Sequence, residues 1–126
     1  MRRVDRIEIT GLRAAGHHGV SEAERRDGQA FLLDIGLDLD LSRPAATDDL
    51  ADTVDYGSLA ARLADEVATT RFDLIEALAS HLADVVLSAT PARAVSVRVA
   101  KPDAPMAVGV DHVAVTLRRE RRQAVG

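Results

Sequence analysis

At 126 residues with no cysteine, the chain has room for one hydrophobic core and carries no disulfide framework, thiol nucleophile or thiolate metal site. A formal net charge of −4, one tyrosine, two phenylalanines and no tryptophan argue against a duplex-binding surface and against the stacking platforms that hold single-stranded nucleic acid. No apolar run approaches the ~18 residues of a membrane span, and the first five residues lead into a short alternating strand, so the expectation is a cytoplasmic protein without membrane or nucleic-acid partners.

Residues Arg6–Gly11 alternate, predicting a strand with Ile7 and Ile9 inward. Residues 13–29 have no periodicity and hold Gly16, Gly19 and Gly28, which reads as a loop. Phe31–Leu41 alternates most cleanly, with Phe31, Leu33, Ile35, Leu37, Leu39 and Leu41 on one side and Asp34, Gly36, Asp38 and Asp40 on the other. That pattern predicts a long, half-buried antiparallel strand. Residues 42–55 form a turn-rich linker with Pro44 and four aspartates.

Two helices are expected next. Asp55 can cap the first, whose Leu59, Leu63 and Val67 recur every four residues. Asp73 and Glu76 read as a capping box for the second, where Leu74, Ile75, Leu78, Leu82, Val85 and Val86 make one apolar stripe. The short link from Thr69 to Phe72 predicts antiparallel helices. Beyond Pro91, Val95, Val97 and Val99 mark a strand, and Val113, Val115 and Leu117 a last one. A basic, solvated tail starts at about Arg118.

This succession implies an α+β domain over 1–126: four antiparallel strands with two antiparallel helices on one face, in the order ββααββ. The other sheet face is half apolar and two edges are free, so the chain is expected to form a homo-oligomer.

Four polar segments interrupt the pattern. The first, His17 to Gln29, contains adjacent histidines that point apart in extended chain and cannot chelate one metal together. His81 and His112 are isolated, so no metal site is expected. Glu24 lies beside Arg25 and Arg26 and reads locally as part of a solvated charged turn. The second, Asp52 to Gly57, places Tyr56 in the first helical turn, where free N–H groups favour phenolate; a hydrophobic staple explains the residue equally well. The third is Leu74-Ile75-Glu76, where the capping box accounts for the carboxylate. In the fourth, Lys101 inherits the inward direction of the valines, and Pro102 ends the ladder behind it. A lysine at the rim of a core either snorkels to water or finds a partner. Two carboxylates, a phenol and a lysine, without a nucleophile or phosphate loop, suit proton transfer on a neutral, hydrogen-bond-rich ligand.

In these segments the chain resembles the dihydroneopterin aldolases, over roughly Arg6–Arg119. Gly11-Leu12 through His18-Gly19-Val20 to Glu24 and Gly28-Gln29 is similar to the family's first-loop signature. Asp48 to Tyr56 is similar to its D-x-x-x-D-T-x-x-Y segment, Leu74-Ile75-Glu76 to its L-[LI]-E, and Lys101 to Pro105 to its K-P-x-A-P. The resemblance implies the tunnelling fold, in rings of four that stack as octamers, and no cofactor or metal. It implies a pterin bound between subunits, with Glu76, Ile75, Val54 and Val20 as binding residues and Lys101, Tyr56 and Glu24 as catalytic ones. Tyr56 would come from the neighbouring subunit. The implied reaction is retro-aldol cleavage of dihydroneopterin to hydroxymethyl-dihydropterin and glycolaldehyde in folate biosynthesis, with epimerase activity alongside.

The chain departs from the family at Met106-Ala107, where an Ile-Pro pair is usual, which loosens the loop behind Lys101. Two other functions remain open: epimerisation of dihydroneopterin triphosphate, with Arg25 and Arg26 serving phosphates, and a non-catalytic pterin-binding oligomer. A zinc-dependent relative is disfavoured because no three-histidine set is present.

Overall fold

The computed structural model describes residues 4–122. Its elements are β1 (Asp5–Gly16), α1 (Glu22–Asp27), β2 (Gln29–Leu39), α2 (Ser42–Thr47), α3 (Tyr56–Thr69), α4 (Ile75–Ala89), β3 (Ala94–Lys101) and β4 (Val113–Glu120), with a single 3₁₀ turn at Leu50–Asp52. The strands form one antiparallel sheet in the order β1-β2-β3-β4. Helix α3 lies against β1, and α4 against β3 and β4.

The core forms where the two periodicities meet. Leu33, Ile35 and Leu37 of β2 and Val95, Val97 and Val99 of β3 are essentially excluded from water, as period-two alternation requires. Leu59, Leu63 and Val67 of α3, and Leu78, Leu82 and Val86 of α4, close over them at the helical period. On the opposite sheet face Arg6 and Arg118 both bind the carboxylate of Asp38, at 2.8 and 2.7 Å, and Arg98 lies beside Asp34. The Arg6 guanidinium lies across Gly36, where the missing Cβ leaves it room. That face is thus more charged than the aspartates and alanines of the sequence suggest.

Residues 13–29 are a loop only at 17–21 and 28, with α1 between them. Strand β1 continues to Gly16 across a bulge: Ile9 pairs with Ile35, yet Leu12 pairs with Leu33, so β1 uses one residue more than β2. Gly11 supplies the left-handed φ of 70°, and its N–H donates to the Asp34 carboxylate at 2.7 Å. The bulge breaks the alternation and hides the strand from a period-two reading. The second strand is shifted from the expected Phe31–Leu41 to Gln29–Leu39, and Leu41 instead precedes α2 as its N-cap.

Two further expectations fail. Asp73 and Glu76 form no capping box, since α4 starts after Leu74 with no side-chain cap. Asp73 instead accepts from Arg25 and Arg71, both at 3.1 Å, and Leu74 is 52% exposed and outside the apolar stripe. The segment from Arg118 is not simply solvated either. Besides the Arg118–Asp38 pair, Arg121 donates to the carbonyls of Leu87, Thr90 and Ala92, so it satisfies acceptors at and beyond the end of α4. Residues 123–126 of that tail, and Met1–Arg3 at the start, lie outside the described residues.

Candidate active site

Glu24 is placed by its own short helix. Ser21 caps α1, its hydroxyl accepting from the Glu24 N–H at 3.1 Å, while the Glu24 carboxylate accepts from the Ser21 N–H at 3.3 Å. The reciprocal capping box of this chain is thus the S-x-x-E at Ser21, and the D-x-x-E at Asp73 forms none. The carboxylate then folds back under Gly19, whose φ of 144° and missing Cβ make room for it. Glu24 ends 8% exposed, which corrects its reading as part of a solvated turn.

At the end of β3, Lys101 keeps the inward direction of Val95, Val97 and Val99 and meets that carboxylate, Nζ to Oε2, at 2.8 Å. The pair is largely out of water, with the side chains 15% and 8% exposed. Gln29 donates to the same Oε2 at 2.8 Å, a contact that sequence reading did not find. Burial alone would raise the Glu24 pKa, but the hydrogen bonds from Lys101, Gln29 and Ser21 outweigh it and hold the carboxyl at about 2. The site is therefore an ionised carboxylate with an ammonium that uses one of its three donors among the described residues.

Helix α4 enters beside this loop. The Gly19 N–H donates to the Phe72 carbonyl at 3.0 Å, and Arg71 donates to the Gly19 carbonyl at 3.0 Å. Val20, 65% exposed, lies between Gly19 and the Ser21 cap. At the start of α4, Ile75 is buried, whereas Glu76 is exposed and has no partner among the described residues. The first N–H groups of α4 have no side-chain cap, so that helix end offers backbone donors next to a free carboxylate. Arg25 and Arg26, considered for a triphosphate, are engaged with Asp73 and Asp27.

Tyr56 and Val54 lie elsewhere. Asp55 caps α3 by accepting from the Ser58 N–H at 3.1 Å, which fixes Tyr56 in the first turn with 61% of its surface exposed. Val54, Ser58 and Leu59 line a groove together with Ala89, Thr90 and Pro91, at the C-terminal end of α4. Glu76 is at the other end of that 15-residue helix, a span of about 20 Å at the α-helical rise per residue. Within one chain, then, Glu24, Lys101, Val20, Ile75 and Glu76 gather at one end of the helix layer and Val54 and Tyr56 at the other.

The sequence matches the FolB dihydroneopterin aldolase family over residues 7–118. It is 48% identical over 118 residues to the dihydroneopterin aldolase of Streptomyces coelicolor, covering 94% of this chain and 99% of that one. The fold superposes on a putative dihydroneopterin aldolase of Vibrio cholerae with a TM-score of 0.86 and 26% identity, covering 93% of this chain and 98% of that one. It also superposes on the E. coli dihydroneopterin aldolase, solved in complex with neopterin, with a TM-score of 0.84 and 28% identity, covering 91% and 98% of the two chains.

Proposed function

The chain belongs to the dihydroneopterin aldolase family, and we propose from that premise how its own residues carry the reaction. Its activity is that of a dihydroneopterin aldolase, a lyase that breaks a carbon–carbon bond. The observation that best supports the residue assignment is the Glu24–Lys101 pair, buried and 2.8 Å long, beside the uncapped entry of α4.

Glu76 holds the guanidine-like edge of the pterin, because two adjacent N–H donors on the ring match a carboxylate fork. Backbone groups at Ile75 take the neighbouring ring positions, and Val54 and Val20 flank the ligand. Glu24 accepts from the hydroxyls of the side chain. A water, oriented by Lys101, removes the proton of the side-chain hydroxyl. The carbon–carbon bond then breaks, a carbonyl forms on the departing glycolaldehyde, and the electron pair enters the ring imine. Lys101 stabilises the charge that develops on the imine nitrogen by a charged hydrogen bond. The ring imine is the electron sink, so the route calls on no metal or Schiff base. Tyr56 protonates the enol-like intermediate and gives hydroxymethyl-dihydropterin. Re-addition of glycolaldehyde before release gives the epimer.

Because Tyr56 and Lys101 lie toward opposite ends of the helix layer, the complete site is built between two chains, and the family resemblance supplies the arrangement, rings of four stacked as octamers. The place of the reaction is the cytoplasm. Incubation with dihydroneopterin and excess chelator tests the reading by the chromatographic appearance of hydroxymethyl-dihydropterin. Product is expected from the wild type and is expected to be lost in Lys101→Ala and Tyr56→Phe. Epimer formed only from the triphosphate would move the assignment to that activity, and binding without turnover would leave a pterin-binding oligomer.

A further inference from the structure

His18 is completely buried, yet both of its ring nitrogens are engaged. Nε2 lies 2.8 Å from the carbonyl oxygen of Val67 in α3, and Nδ1 accepts the N–H of Phe72 at 3.0 Å. A carbonyl can only accept and a peptide N–H can only donate, so the ring is held as the neutral Nε2–H tautomer. The ring meets Phe31 edge-on at 5.3 Å and stacks on Phe72 at 5.8 Å. Gly16 is bare beneath it, since a Cβ there would come within 2.6 Å of the Val67 oxygen and 2.9 Å of the imidazole.

The surroundings keep the imidazole neutral. Burial lowers its pKa first, and the cations of Arg71 and Lys101 add to that, against the raising influence of the Val67 carbonyl. The nearby carboxylates are committed to other cations, Glu24 to Lys101 and Asp73 to Arg25 and Arg71. Phe72 is thus gripped twice, its N–H by His18 and its carbonyl by Gly19. Three residues after Phe72, α4 begins with Ile75 and Glu76; three after His18, Ser21 starts the capping box that aims Glu24.

We propose that His18 is a positioning residue whose Nδ1 bond to the Phe72 N–H sets the separation between the Glu24–Lys101 pair and the Glu76 end of α4, so that the ring and the hydroxylated side chain of one pterin are held at once. The inference rests on the function proposed above. A histidine kept for packing alone would need the size of the ring and not its polar atoms.

Two probes separate these roles in the assembled, full-length protein: neopterin, which has both ring and side chain, and pterin, which has the ring alone. In His18→Phe, neopterin binding is expected to weaken about tenfold while pterin binding changes by less than about twofold, because only the two-point ligand senses the spacing. His18→Asn keeps an acceptor near the Nδ1 position and is expected to recover much of the neopterin affinity. His18→Gln keeps only a donor near Nε2 and is expected not to. Equal losses for both probes, no loss for either, or rescue by Gln instead of Asn would overturn the proposal. If His18→Phe fails to assemble, the Asn and Gln pair decides by the same comparison. A wild type that binds pterin but neither binds neopterin nor cleaves dihydroneopterin would refute the functional reading itself, and this inference with it.

Discussion

Glu24 keeps its negative charge in a place with little access to water, and its stability contribution follows from that. Its carboxyl is held at about 2 in place of the ordinary 4.5. A depressed folded-state pKa contributes stability that is fully present above the unfolded value and is lost as pH falls toward the folded one. The window is therefore between about pH 4.5 and 2, and the contribution is on the order of 3 kcal/mol. In acid denaturation, Glu24→Gln is expected to be less stable than wild type at neutral pH, the two curves converging as pH falls through that window. Two parallel curves would show that the pair does not stabilise the fold. Gly19→Ala attacks the same carboxylate from outside. The new Cβ would sit on the Glu24 side chain at a φ of 144° and push it off Lys101, so kcat/KM should drop by about tenfold or more with Lys101 itself intact.

The residues of this end were legible as types but not as neighbours. The register of Lys101 with the valines was plain in the sequence, because period two is simple arithmetic. Its partner was not, because Glu24 lies 77 positions away and its burial depends on Gly19 leaving the carboxylate room. The rival capping patterns show the same limit. Asp73-x-x-Glu76 and Ser21-x-x-Glu24 look alike locally, but Asp73 is engaged by Arg71 beside it and by Arg25 from 48 positions away, and caps nothing.

At the scale of elements, α4 starts without a side-chain cap, on an exposed leucine. Such a start usually costs about 1 kcal/mol relative to Ser or Asp. Leu74→Ser is accordingly expected to raise thermal stability by roughly that amount; if the free helix end serves the ligand as proposed, pterin binding weakens, because the serine hydroxyl takes up one of its backbone donors. A calorimetric scan and a pterin titration on the same preparation check both signs. If stability and affinity rise together, the free helix end is not part of the site. The bulge in β1 is the other element the sequence concealed. With Gly11 inserted, Ile9 and Leu12 face the same way although they are three positions apart, which a strict alternation reads as the end of the strand.

For the whole molecule, the decisive fact is that the assigned residues sit at opposite ends of one helix layer. A site shared between chains predicts complementation. Lys101→Ala and Tyr56→Phe, each nearly inactive alone, are expected to regain about a quarter of wild-type activity when dissociated, mixed in equal amounts and reassembled, since random pairing leaves that fraction of interfaces with both native residues. A mixture as inactive as its parts would place the whole site within one chain.

Tyr56 has a practical consequence of another kind. It is the sole tyrosine of a chain with no tryptophan, and 61% of it is open to solvent in the isolated subunit. All of the protein's intrinsic tyrosine emission therefore originates at one phenol, on the surface assigned to the neighbouring chain's ligand. Fluorescence therefore tests the proposed shared site without a label: if Tyr56 completes a neighbour's site, assembly and ligand occupancy are each expected to change the emission of this one phenol.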